Sequence, residues 1–460
     1  MAFDFRRRLY ESLPINLKKG LCLIPFSWWA GKSYRETYRR SAVFERATRI
    51  ELLQYQEQCL GEILNFVVEQ VPAYAHLRQI LERLRPFEAL KAFPLIDKDK
   101  LHQEMDRFLP RGFSRFHKYE VTTGGTSGNQ LKLYLDDNSQ SIEMGFTHRF
   151  WKQMGYTPNR RKATFRGVKF PNLPKDVFWQ LNPIYNEIQF SPFHMNEDNM
   201  HAYVEEFIRY APEYLHGYPS AIDTLAEFVI RNNLLIRIPQ IKAAFLSSET
   251  CTQIQRARIE KAFRTRVFSW YGHTERLVFA GECEKNNSYH HIPDYGILEI
   301  VDENDNSCER EGERGEIVGT GLHNWSLPLV RYRTSDYATR LEPKCECGRS
   351  WDRFTNVEGR WKQDMIIGVS GSKIPLAALN MHGPLFDRVV RHQYYQEKEG
   401  NCVLKVLSAP GFTEKDSLAI KKAFKEKMGN EVLFEVQVVE DIPLTRRGKL
   451  KRLDSRVTAR

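Results

Sequence analysis

The run Thr122-Thr123-Gly124-Gly125-Thr126-Ser127-Gly128-Asn129, just upstream of Leu131-Lys132-Leu133-Tyr134-Leu135-Asp136, constrains this chain more than any other segment. The second run alternates apolar and polar residues, as a half-exposed strand does. The first cannot continue that strand, because its glycines favour turns and reach positive φ without a Cβ clash. Such a loop is either an ordinary hairpin turn or a cradle for an anion, in which backbone amides and Thr and Ser hydroxyls donate to phosphate oxygens. At 460 residues the chain exceeds what one compact core usually organises, so two domains are expected.

Composition excludes several classes. Hydrophobic residues at 42% and charged residues at 27% suit a soluble globular chain. No apolar run reaches the ~20 residues of a membrane-spanning helix, and the N-terminus, with Arg6-Arg7-Arg8, Glu11 and Pro14, lacks the uninterrupted apolar core of a signal peptide. A cytoplasmic location is expected, and there eight cysteines argue poorly for disulfides. The net charge of +10 raises affinity for any polyanion. Its basic residues are dispersed and carry no helix-turn-helix, finger or aromatic RNA-binding signature, so no nucleic-acid partner is expected. The N-terminal stretch with Trp28, Trp29 and nearby Lys and Arg offers a peripheral membrane contact as a further hypothesis.

Periodicity sketches the architecture. Residues 41–70 recur at three- and four-residue spacing, predicting one amphipathic helix ended by Pro72. A helix is expected over 138–154, and two more over 200–232, separated by a turn-rich break at Leu215-His216-Gly217-Tyr218-Pro219-Ser220. Ile241 to Leu246 and Arg266 to Trp270 read as buried strands around a helix at 250–264, a succession that argues for a parallel α/β sheet. Glu358-Gly359-Arg360-Trp361-Lys362 reads as a junction. The expected division is a large domain over 1–358 and a small one over 359–460.

Three downstream segments share the chemistry of the first loop: Tyr271-Gly272-His273-Thr274-Glu275; Leu329-Val330-Arg331-Tyr332-Arg333-Thr334-Ser335-Asp336; and Pro443-Leu444-Thr445-Arg446-Arg447-Gly448-Lys449. Together they supply hydroxyls, a carboxylate for a metal, a carboxylate for a diol and an ammonium group. With these four segments the chain resembles the adenylate-forming (AMP-binding) superfamily, most closely the phenylacetate-CoA ligase-like branch and its capsule-biosynthesis relatives. The resemblance covers most of the chain. It includes the approach Val71-Pro72-Ala73-Tyr74 and Phe93-Pro94-Leu95-Ile96-Asp97-Lys98.

The resemblance implies a large α/β domain with mixed sheets and flanking helices, plus a small mobile α+β C-terminal domain. It implies ATP-dependent activation of a small carboxylic acid to an acyl-adenylate, with transfer to coenzyme A. Transfer to a sugar or amine in cell-surface polysaccharide biosynthesis, or a silent nucleotide-binding scaffold, are the alternatives. Residues Thr123, Gly124, Gly125, Thr126, Ser127 and Gly128 would hold phosphates, with Thr126 close to the chemistry. Ser248, Glu249, Tyr271, Gly272, His273 and Thr274 would flank the nucleotide, Glu275 would bind Mg²⁺ and Asp336 the ribose diol. Lys449 would stabilise charge at the reacting centre, delivered by rotation about a hinge near Arg360 to Lys362. The chain departs from the family pattern at Ser335, where glycine is usual, at Asn129-Gln130, where lysine and proline are usual, and at Lys362-Gln363-Asp364, which carries an insertion. Asn129-Gln130 also excludes a P-loop nucleotidase, which needs lysine and a hydroxyl after its last glycine. Arg166, Phe170, His216 and Tyr218 are the expected lining of the acid pocket, and a homodimer remains open.

Cys283, His290, Cys345 and Cys347 form a second chemical signal, three thiols and an imidazole in two pairs, suited to tetrahedral structural zinc. His291 is the rival ligand, and small buried cysteines the plain alternative. Some phenylacetate-CoA ligase relatives carry zinc on matching residues.

Overall fold

The computed structural model describes residues 9–10, 13–21, 24–122, 131–167, 177–249, 251–359, 365–379, 384–386, 388–443 and 451–457. The hairpin flanking the first loop is present. Strand β1 (Lys118–Thr122) pairs antiparallel with β2 (Lys132–Asp136), Thr122 facing Lys132. Leu131, Leu133 and Leu135 are buried, as the alternation requires. Asp136 ends the hairpin as an anchor. Its carboxylate accepts the backbone N–H of Trp325 at 2.9 Å and of Ser326 at 3.0 Å, and its own N–H donates to Asn324 Oδ1.

The parallel half of the main sheet follows from near-continuous apolar strands, as burial on both faces demands. Strands β3 (Lys162–Phe165), β4 (Trp179–Asn182), β5 (Glu187–Phe190), β6 (Tyr214–Gly217), β7 (Ala243–Leu246) and β8 (Val267–Tyr271) lie in the order β4-β5-β3-β6-β7-β8, and only the β4–β5 pair is antiparallel. The sheet then turns antiparallel through β9 (Ala280–Glu282), β10 (Tyr289–His291), β11 (Gly296–Val301), β12 (Arg314–Gly321), β13 (Tyr332–Leu341) and β14 (Arg353–Glu358), in the order β8-β9-β10-β14-β13-β12-β11.

Two expectations about elements change. The helix over 41–70 is two helices, Lys32–Phe44 and Arg49–Gln70. Thr48 caps the second, accepting from the Glu51 N–H while Glu51 accepts from the Thr48 N–H, and that reciprocal cap starts a new helix where apolar spacing alone reads through. Leu215 to Gly217 is no turn but the buried strand β6, and the following helix begins at Pro219. Short Gly- and Pro-bounded strands look like turns until neighbouring strands claim their hydrogen bonds. The remaining sequence expectations hold within a few residues: helices Ser139–Lys152, Glu197–Tyr210 and Gln253–Phe263, and strands β7 and β8.

Beyond residue 364, β15 (Met365–Ile367) pairs with β16 (Lys373–Pro375). Strands β17 (Val389–Lys398), β18 (Asn401–Ser408), β19 (Leu433–Val438) and β20 (Leu453–Ser455) form a separate sheet, order β19-β18-β17-β20, covered by helix Glu414–Met428. Ile374, Leu376 and Phe424 of this unit belong to one buried apolar cluster with Phe190, Phe207 and Leu225 of the main sheet and its helices.

Candidate nucleotide site and a cysteine–histidine cluster

Strand β8 ends at Tyr271, and β13 begins at Tyr332. The fold brings these segments together: the Tyr271 hydroxyl donates to Asp336 Oδ2 at 2.9 Å, and the Tyr332 hydroxyl donates to Glu275 Oε1 at 3.0 Å. The Val278 N–H donates to His273 Nε2 at 3.3 Å, so the ring proton sits on Nδ1, which donates to Glu275 Oε2 at 3.2 Å. Burial alone would raise Glu275, but the hydrogen bonds from His273 and Tyr332 outweigh it and hold the carboxyl below its ordinary value. Glu275 is therefore an anion in a buried site, the state a cation needs. Tyr271 moves the other way, because burial and then the Asp336 charge push its phenol well above 10 and keep it a neutral donor.

Asp336 lies inside β13. Ser335 has φ 61, the left-handed region that glycine occupies without strain, which accounts for glycine being usual there in the resembling family. Its N–H donates to Glu316 Oε1 at 2.7 Å, and Thr334 Oγ1 donates to the Ile317 carbonyl, pinning the strained turn beside a bulge in the β12–β13 register. Arg331, also at positive φ, clamps the start of β13 through Glu299 at 3.0 and 3.1 Å and the Phe93 carbonyl at 3.0 Å. Ile96 bridges to Tyr332, which ties the expected approach segment to the same strand.

Ser248 and Glu249 follow β7. Arg166 donates to Ser248 Oγ at 3.1 Å and lies over the Tyr218 ring at 5.5 Å. Glu249 accepts the Ser220 N–H and hydroxyl, each at 3.1 Å, at the N-terminus of helix Pro219–Arg231. Burial nevertheless dominates and raises the Glu249 carboxyl from 4.5 to about 7. His216 is neutral: burial first, then the neighbouring cations Arg166 and Lys162, push it well below 6.5 between the rings of Trp151 and Trp270.

The loop Thr123 to Gly128, Phe170, the hinge at Arg360 to Lys362 and Lys449 lie outside the described residues. Tyr332, the partner of Glu275, was not assigned from sequence although it stands in the quoted Arg331-Tyr332 segment. Glu316 carried no sequence signal at all, since only the bulge brings it under Ser335.

The second constellation is compact. One ligand atom each from Cys283, His290, Cys345 and Cys347 lies within 4.8 Å of the others. Cys283 Sγ and Cys345 Sγ are 3.8 Å apart, and Cys347 Sγ and His290 Nε2 3.7 Å. A tetrahedron with metal–sulfur bonds of about 2.3 Å has edges of about 3.8 Å, so the donor set fits zinc. The Lys285 N–H at 3.3 Å and Asn286 Nδ2 at 3.4 Å donate to the sulfurs, and buried Arg349 adds positive charge nearby. His291, the sequence rival, is not part of the group, since neighbouring residues of a strand point to opposite faces.

Comparison with known proteins places this architecture. Residues 366–455 match the CapK C-terminal domain family. Protein CapK of Staphylococcus aureus is 22% identical over 457 residues, spanning 96% of this chain and 97% of that protein. A phenylacetate-coenzyme A ligase of Thermus thermophilus is 24% identical over 416 residues, covering 86% of this chain and 87% of the relative. Among solved structures, 2-hydroxyisobutyryl-CoA ligase in its thioesterification state aligns with a TM-score of 0.58 at 17% identity, over 89% of this chain and 91% of that one. The fold is that of the adenylate-forming enzymes. Within that class, the chain is similar over most of its length to CapK and to a phenylacetate-coenzyme A ligase, and its residues 366–455 match the CapK C-terminal domain. No described helix is long and apolar enough to cross a membrane.

Proposed function

We propose that the protein is an ATP-dependent acid-CoA ligase. The acid's carboxylate oxygen attacks the α-phosphorus, the bond to the bridging oxygen breaks and pyrophosphate leaves. The thiolate of coenzyme A then attacks the acyl carbon and AMP departs. The observation that carries this reading is the convergence of two distant segments through two crossed hydrogen bonds, Tyr271 to Asp336 and Tyr332 to Glu275. Asp336 has the acceptor capacity for both ribose hydroxyls once Tyr271 yields to them. Glu275 would hold Mg²⁺, which when bound neutralises phosphate charge. The 123–128 loop would wrap the β and γ phosphates, Ser248 and Glu249 would flank the adenine, and Lys449 would donate to the α-phosphate and carboxylate. Rotation near Arg360 would exchange the lysine for an acceptor-binding face, with domains divided at 358 and 359. Cys283, His290, Cys345 and Cys347 would hold a structural zinc, closed by four protein ligands. The relatives named give no support to a sugar or amine acceptor.

Pyrophosphate exchange into ATP, run with a panel of carboxylic acids, tests adenylation directly. Exchange with at least one acid, followed by thioester formation on adding coenzyme A, is expected. No exchange with any member would return the scaffold alternative to first place.

A further inference from the structure

The N-terminal segment carries exposed apolar and basic side chains that the proposed chemistry does not use. Its inner face is seated firmly: Tyr10 is 2% exposed, accepts the Ile184 N–H at 3.3 Å and meets the Trp29 ring at 5.5 Å, while Phe26 packs on Tyr34 and Tyr185, each at 5.3 Å. Helix Phe26–Trp29 thereby turns Phe26 inward and leaves Trp28 71% exposed. Leu9 at 53%, Leu17 at 58% and Ile24 at 39% are exposed in the same short segment. Helix Lys32–Phe44 follows, and Lys32, Glu36, Arg39 and Val43, spaced for one face, are all exposed. The first 46 residues hold ten Lys and Arg against four Asp and Glu, a net +6 of the chain's +10.

We propose that this segment docks on an anionic lipid bilayer, with Leu17, Ile24 and Trp28 entering the headgroup boundary and Lys32 and Arg39 facing lipid phosphates. Three arguments select the bilayer. Large apolar side chains held outward by a well-packed inner layer cost free energy in water and recover it at an interface where tryptophan is favoured. The concentrated positive charge complements anionic headgroups. A nucleic-acid backbone would use the charge and leave Leu17 and Ile24 in water, and a second copy of the same basic segment would set like charge against like charge.

The full chain is tested by cosedimentation with phosphatidylcholine vesicles, with and without equimolar phosphatidylglycerol. Binding to the anionic vesicles at low salt, weakened at about 0.5 M salt, is expected. The double variant Leu17→Ser with Trp28→Ser should bind at least roughly tenfold more weakly with an unchanged melting temperature, because both side chains are exposed. Lys32→Glu with Arg39→Glu should lose the preference for phosphatidylglycerol. The proposal is overturned if wild type sediments with neither vesicle, or if the Ser variant binds like wild type. It is equally overturned if a single-stranded oligonucleotide competes the protein off the vesicles through the same residues, or if Trp28→Ser dissolves a dimer without changing lipid binding.

Discussion

Tyr271, Glu275 and Asp336 on one hand, and Cys283, His290, Cys345 and Cys347 on the other, hang from the same run of strands, β8 to β14, and handle polarity in opposite ways. In the first group each carboxylate already accepts a hydroxyl at 2.9 or 3.0 Å. A ligand entering there exchanges one hydrogen bond for another, which suits a site that fills and empties every turnover. In the second group the four donor atoms lie within 4.8 Å of one another, two of the pairs at 3.7 and 3.8 Å, where thiols gain little from each other. Such a group is satisfied by a resident metal. In the proposed roles, the first arrangement would trade affinity for exchange, and the second exchange for stability.

That contrast can be broken by substitution, beginning with the largest effect. Lys449→Ala should slow pyrophosphate exchange by about 10²- to 10³-fold while ATP binding and the melting temperature stay near wild type, because the role proposed for the lysine is to stabilise developing charge. An exchange rate equal to wild type would separate the C-terminal unit from the chemistry. Cys345→Ser should release zinc, read by metal analysis, and lower unfolding free energy by about 3 kcal/mol or more. If the purified protein contains no zinc and chelator leaves its melting curve unmoved, the second group is only a cluster of thiols.

Smaller effects sharpen the same comparison. Tyr271→Phe removes the donor to Asp336 and should cost about 1 kcal/mol, seen as a several-fold change in the KM for ATP with little change in melting temperature. The smallest lies in the pH profile. Glu249 is raised to about 7, so the fold favours its protonated form. The stability this contributes is fully present below about 4.5 and fades as pH rises through about 7. Glu249→Gln should therefore lose less unfolding free energy than wild type between those values, by an amount on the order of 1 kcal/mol. Parallel curves for the two proteins would show that Glu249 titrates normally.

Much of the site was legible because its residues come in short runs with distinctive chemistry. Tyr271 to Glu275 follows a strand whose apolar composition is plain, and Cys345 and Cys347 announce themselves by spacing. Tyr332 and Glu316 were not legible in the same way. Each acts through a single long-range contact, and nothing in their neighbours distinguishes a buried partner from a strand residue. Asp336 was found by its segment, yet its setting inside β13 depends on the bulge opposite Glu316.

Local composition alone decided strand β2 with its buried leucines, the buried strands β7 and β8, and the absence of a long apolar helix among the described residues. These depend on periodicity and turn chemistry, which act over a few residues. Tertiary structure decided which of two adjacent histidines joins the thiols and which tyrosine holds Glu275. It also decided that Trp28 faces outward while Trp29 packs on Tyr10. Those choices rest on strand register and on packing between segments far apart in sequence, where a shift of one residue sends a side chain to the other face.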